Sequence, residues 1–180
     1  MFIHEKIELD YEDLVVENGQ NGRKYISPEG HKFPSITTVL GVLSRASIAA
    51  WRARVGEEEA NKISHKATTR GTAVHDIVEK YLDNEELPKV LPHITASLQN
   101  LKPSLNRIGK IYAQEAPLYS KHLGVAGRVD CVGEYDGVPS IIDFKTSKKI
   151  KKKEWISSYF MQAAAYAIMW EERTGMPITN

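Results

Sequence analysis

Gly127-Arg128-Val129-Asp130-Cys131-Val132-Gly133-Glu134-Tyr135-Asp136-Gly137-Val138-Pro139-Ser140-Ile141-Ile142-Asp143-Phe144-Lys145 decides how this chain folds. Two β-rich runs flank Asp136-Gly137, and an Asp-Gly pair in that setting is the strongest short-range hairpin signal. The spacing predicts strands over Gly124–Tyr135 and Val138–Thr146 joined by a two-residue turn. Tyr135 then faces Val138, and stepping outward Asp130 faces Asp143. Directly opposed residues share a face of a sheet, and Lys145, two positions on, shares it too. Two like charges face to face destabilise a sheet unless positive charge sits between them. Lys145 supplies one such charge. A divalent cation is the other natural answer, because hard cations such as Mg²⁺ or Mn²⁺ prefer carboxylate oxygens. An ordinary structural ion-pair cluster accounts for one Asp and one Lys, but poorly for a second inward Asp. The register is the soft step, since Gly133 or Pro139 could introduce a bulge.

The whole chain has 180 residues, 42% of them hydrophobic and 26% charged, which fits one soluble domain of ordinary size. Its formal net charge is +1, so any surface for nucleic acid has to be a local patch. There is one cysteine, Cys131. It excludes a disulfide within the chain and a cysteine-ligated zinc or iron–sulfur cluster. Cys131 follows Asp130, so it is expected on the opposite, core face as a buried structural thiol. The start, Met1-Phe2-Ile3-His4-Glu5, has no signal-peptide apolar region, and no mitochondrial targeting segment is apparent. No apolar run is long enough to span a membrane. The expected setting is cytoplasmic and reducing.

The remaining chain reads as follows. Ser27-Pro28-Glu29-Gly30 turns a small hairpin inside an N-terminal extension, residues 1–34. Ser35 caps a short helix reaching about Leu43. A longer helix spans Ser47 to near Lys66, and Arg70-Gly71-Thr72 leads into a third ending near Leu82. Val74, Ile77, Val78 and Tyr81 form the buried stripe of that third helix. Pro92 to about Arg107 is a helix, Ile111–Tyr119 a strand, and Glu154–Arg173 the last helix, stopped by Gly175 and Pro177. The expected fold class is α/β: a helical N-terminal half, then a three-stranded antiparallel motif sheet, flanked by helices. Met176–Asn180 reads as the run-up to another strand, so the chain either ends there or is a truncated piece.

Four further features belong beside the carboxylate pair. His75 lies next to the apolar stripe of its helix. A lone helix histidine is usually just half-buried, but a carboxylate site needs further ligands, and imidazole is a common one. Glu115 in Ile111–Tyr119 is either an exposed strand charge or a third acidic residue pointing into the site. Gln162 and Tyr166, one helical turn apart, share a face near Trp155, Tyr159 and Trp170. Ile156, Phe160, Ala163 and Ala167 form the other face, expected to be the core side. Lys148, Lys149, Lys151, Lys152 and Lys153 follow the second strand. Such a run is most often solvated loop, but here it is also where phosphates would be held.

Taken together these residues resemble the PD-(D/E)xK nuclease superfamily, in particular its RecB-like exonuclease branch. The likeness lies in His75, in Gly127 to Asp130, in Asp143-Phe144-Lys145-Thr146-Ser147 and in Gln162 with Tyr166. Phe33-Pro34-Ser35-Ile36-Thr37 and Arg70-Gly71-Thr72 to His75 are also similar to phage and mitochondrial exonucleases of that kind. The likeness covers roughly residues 33–170, and the order of motifs is more specific than any one of them. It implies a restriction-endonuclease-like core and hydrolysis of a DNA phosphodiester, on single strands or ends, in a bacterial or phage-infected cell. It implies one or two Mg²⁺ or Mn²⁺ ions on Asp130, Asp143, His75 and the Phe144 carbonyl, with Glu115 as a further acidic group. Lys145 would orient the attacking water or stabilise developing charge. Gln162, Tyr166 and the lysine run would brace the site or touch DNA. An endonuclease of the same superfamily and a non-catalytic nucleic-acid-binding module are the alternatives. Protein partners are not specified by the sequence.

Overall fold

Asp136 and Gly137 adopt φ of +52° and +80°, the two positive angles that a two-residue type I′ turn requires. The pairing that follows is the predicted one: Tyr135 with Val138, Glu134 with Pro139, Gly133 with Ser140, Val132 with Ile141 and Cys131 with Ile142. The ladder stops there, so the second strand ends at Ile142 rather than Thr146. This computed structural model describes residues 1–147 and 151–180. Lys148 and Lys149, expected to hold phosphates, lie outside the described residues.

In chain order the strands are β1 (Ile3–His4), β2 (Val15–Gly19), β3 (Gly22–Ile26), β4 (Lys32–Pro34), β5 (Ile108–Ser120), β6 (Val125–Tyr135) and β7 (Val138–Ile142). The helices are α1 (Ile36–Gly41), α2 (Arg45–Val55), α3 (Glu57–Leu82), α4 (Pro92–Leu105) and α5 (Ser157–Thr174). The expected helical N-terminal half is corrected by this order, because residues 1–34 carry four strands and the helices begin at Ile36. The main sheet is also larger than expected. It has four strands in the order β1-β5-β6-β7, with β1 added parallel to β5. β2, β3 and β4 form a separate antiparallel sheet, in which Ile26 pairs with Lys32 across the Ser27–Gly30 turn.

Two apolar cores cover the main sheet. One gathers Leu118, Val129 and Val132 with Ala165, Tyr166, Met169 and Trp170 of α5. The other gathers Ile111, Cys131 and Phe144 with Val74, Ile77, Val78 and Leu82 of α3 and Ile94 and Leu98 of α4. Tyr112, Val132 and Ile141 go to the α5 core, while their chain neighbours Ile111, Cys131 and Ile142 go to the α3 core. Consecutive strand residues point to opposite faces, so the sheet lies between α5 and the α3–α4 pair. Cys131 is fully buried, and burial pushes its thiol up to about 12. It is an inert packing residue, as expected.

Helix boundaries depart from expectation in one instructive place. The sequence suggests a break near residues 67–70, but α3 runs unbroken from Glu57 to Leu82, with Gly71 inside it. The break falls instead at Gly56, whose φ of +85° is readily available only to glycine. One internal glycine costs a helix about 1 kcal/mol, less than the burial of Val74, Ile77, Val78 and Leu82 returns. Ser35 caps α1 as predicted, accepting the Thr38 N–H at 3.0 Å. α5 ends on Gly175 at φ +71°. Asn180 then lies along β7, its carbonyl accepting the Ile141 N–H at 3.1 Å. No helix among the described residues is long and apolar enough to cross a membrane.

The face of α5 is a second correction. Gln162, Ala165, Tyr166, Met169 and Trp170 are its buried residues, at the i, i+3, i+4, i+7, i+8 spacing of one helical stripe. Phe160, assigned to the core side, is 56% exposed. The polar pair was the inward one because it meets the sheet where the carboxylates lie. Gly127 makes this possible. A Cβ there would stand 2.7 Å from Tyr166 ring and hydroxyl atoms. Gly127→Ala is therefore expected to lower stability by ~1–3 kcal/mol through overpacking, read as a lower urea midpoint. An unchanged midpoint would mean that Tyr166 does not sit against the β6 backbone.

Candidate active site

The site forms where β5, β6 and the end of β7 meet α3 and α5. His75, on the buried side of α3, points its Nε2 at the Phe144 carbonyl, 2.6 Å away. A carbonyl only accepts, so this ring nitrogen carries a proton, and in the neutral imidazole Nδ1 then keeps its lone pair. Nδ1 lies 3.7 Å from Asp130 Oδ1. Asp130 in turn accepts the Phe144 N–H at 2.7 Å through Oδ2. Phe144 thus binds both residues through its backbone, and its ring is buried against the α3 core.

Glu115 completes the group. Ala116 pairs with Val129 and Gln114 with Cys131, which sets Glu115 across from Asp130. The Glu115 backbone is left-handed inside a strand, at φ +46°. That conformation is strained for any residue with a Cβ. Its carbonyl accepts from Arg128 Nη1, and Arg128 Nη2 is held by Asp13 at 2.7 and 2.9 Å. The break in alternation turns Gln114 to Asp83, just past the end of α3. Glu115 turns to His75. Ligand-type atoms of His75, Glu115 and Asp130 all lie within 4.8 Å of one another. Among the described residues this is the group of histidine and carboxylate side chains close enough to share a cation.

Asp143 stands beside this group rather than in it. Its Oδ1 accepts from Lys145 Nζ at 2.6 Å and from Gln162 Nε2 at 3.2 Å. Lys145 Nζ is also 2.5 Å from Oδ2. The expected Asp130–Asp143 confrontation is felt electrostatically. Burial raises the Asp130 pKa above the ordinary aspartate value, and the Asp143 charge adds to it. Glu115 is pushed up to about 7, first by burial, then by Asp130 and Glu79. Glu79 is itself raised, by burial and by Asp83 and Asp76. Buried carboxylates that resist ionisation together are relieved by a cation placed among them. One imidazole with two carboxylates is a donor set that Mg²⁺ or Mn²⁺ accepts. The residues present therefore fit such an ion.

Of the expected site residues, His75, Glu115, Asp130, Asp143, Phe144, Lys145 and Gln162 are brought together. Tyr166 is buried over Gly127, and burial raises its hydroxyl pKa, with Asp130 among the smaller causes. Lys151 donates to the Tyr159 hydroxyl, and Lys152 lies over the Trp155 ring. Lys153 is exposed at the start of a short 3₁₀ turn. Two contributors were not anticipated. Glu79 lies one turn beyond His75 on α3, a spacing that puts both on one face. Arg128 anchors the Glu115 backbone, and no local pattern announces that. A groove of about 780 Å³ runs past Glu79, Asp83, Glu115 and Arg128 under the N-terminal segment Ile7–Glu12.

No protein-family model matches the chain. The chain is 26% identical over 147 residues to mitochondrial genome maintenance exonuclease 1 of Homo sapiens. The similarity covers 74% of this chain and 42% of that protein, so the chain spans less than half the length of this relative. At that identity the relationship to a nuclease is distant.

The Glu115 shift predicts a pH dependence in metal-free protein. An unfolded glutamate titrates near 4.5 and Glu115 when folded near 7. Between these values the folded state holds the extra proton, so stability present below about pH 4.5 is lost as pH rises through about 7. Urea midpoints in EDTA should fall across that window, and Glu115→Gln should make the fall shallower. An identical slope in the variant would place Glu115 outside the buried group.

Proposed function

We propose that this chain is a divalent-metal-dependent deoxyribonuclease, an exonuclease that hydrolyses phosphodiester bonds at DNA ends or in single strands. In this reading it carries a restriction-endonuclease-like core of the RecB-like PD-(D/E)xK kind. The observation that carries the reading is the convergence of His75, Glu115 and Asp130 within 4.8 Å, beside Asp143 and Lys145. The distant similarity to an exonuclease supports it.

A bound Mg²⁺ or Mn²⁺ would polarise the scissile phosphate and make a coordinated water more acidic. Asp130, Glu115 and His75 Nδ1 would hold the ion. The Phe144 carbonyl, expected as a further ligand, lies 2.6 Å from His75 Nε2, and through that contact it would favour the tautomer that leaves Nδ1 for the ion. Asp143 would face the ion from the β7 side once Lys145 turns to substrate. Lys145 supplies an ammonium for the attacking water or for charge developing on the phosphate. Gln162 holds Asp143 in place, and Tyr166 packs the α5 face against β6. Glu115, at its raised pKa, would give up its proton on taking a cation. Activity should therefore need pH values at which that loss is cheap.

End-labelled single-stranded and duplex DNA, incubated with Mg²⁺ or Mn²⁺, should shorten from an end, while closed circles stay intact. EDTA should stop the reaction. Asp143→Asn and Lys145→Ala should each reduce cleavage by about 10²–10³-fold or more, with circular dichroism and urea midpoint near wild type. Normal cutting by both variants would remove the site assignment, and nicked circles would favour an endonuclease.

A further inference from the structure

Large apolar side chains are exposed where α5 starts. Trp155, in the 3₁₀ turn before it, is 65% exposed, and Phe160 and Met161 in its first turns are exposed as well. None of the three belongs to either core of the main sheet. Three lysine ammonium groups lie over the neighbouring rings. Lys152 Nζ is 5.6 Å from the Trp155 ring centre, and Lys145 and Lys151 Nζ are 5.8 and 4.8 Å from that of Tyr159. Lys145 is also the residue that grips Asp143. The aromatic patch therefore begins at the carboxylate site and leads away from it.

We infer that Trp155 and Tyr159, with Lys151 and Lys152, form a stacking platform for the unpaired bases of a single DNA strand entering the site. This rests on the nuclease reading and specifies where that substrate lies. A flat aromatic face takes any base, and the ammonium groups beside it attract the phosphates of the same strand. The Trp155 ring is exposed and that of Tyr159 half-buried, with exposed Lys151 and Lys152 beside them. A base arriving on Trp155 displaces Lys152 from the ring face, and the released ammonium meets the adjoining phosphate. Paired bases in a duplex offer no free face for this contact, so the platform selects unpaired strands.

The test measures binding in EDTA by anisotropy of three labelled oligonucleotides: a thymidine single strand, an abasic strand of equal length, and a blunt duplex. Trp155→Ala should weaken binding of the thymidine strand by about 5-fold or more. Abasic and duplex binding should stay within about 2-fold, and Trp155→Phe, which keeps a ring, should restore most of the loss. Equal weakening on the abasic strand, or none on the thymidine strand, would overturn the platform. Cleavage by the wild-type chain with Mg²⁺ and Mn²⁺ is run alongside. Base-dependent loss at Trp155 without any cleavage keeps the platform and removes the nuclease reading. Cleavage without base-dependent loss does the reverse.

Discussion

The Asp130 carboxylate is largely buried, with little water to stabilise its charge, Glu115 across the strand pair and Asp143 just past the end of the next strand. One backbone N–H, from Phe144, the imidazole of His75 and the nearby ammonium of Lys145 are set against that cost. A hydrophobic side chain at 130 would pack with less conflict, since buried charge is costly unless paired and hydrogen-bonded. Much of the local architecture follows from holding that group there. β7 stops at Ile142, which frees the Phe144 N–H from any ladder. α3 presents a histidine, and α5 turns a glutamine inward to satisfy Asp143.

The strained backbone at Glu115 fits the same account. A left-handed residue inside a strand persists only where its surroundings hold it. Here Arg128 grips the Glu115 carbonyl while Asp13, from the N-terminal segment, grips Arg128. The first residues of the chain thereby reach the site without entering it. They also supply β1, which covers the outer edge of β5. Edge strands that stay uncovered invite pairing with other chains.

Legibility from sequence divided along physical lines. The β6–β7 register could be read because a two-residue Asp-Gly turn fixes it locally. The stripe of α3 could be read because helical period is local as well. The Ser27–Gly30 hairpin of β3 and β4 could be read from its turn, but β1 could not, since it is two residues long and pairs with a strand about a hundred positions away. The position of Glu115 was left open for a similar reason. Its conformation depends on Arg128 and Asp13, not on its neighbours. The inward face of α5 was misread because Ile156, Phe160, Ala163 and Ala167 make the more apolar stripe, while the partner that lets Gln162 turn inward, Asp143, is on another element. The Thr-Thr-Arg-Gly segment looked like a break until core burial further along α3 outweighed it.

That unbroken α3 has a mechanical side. About 18 residues, or roughly 27 Å of helix, separate Glu57 from His75. Over the first half of that rod only Ala60 is buried, and α2, packed alongside, buries nothing. A helix transmits rotation along its length far better than a jointed loop does. One continuous rod therefore joins a solvent-facing arm at its start to the imidazole near its other end, where Val74, Ile77, Val78 and Leu82 clamp it into the core.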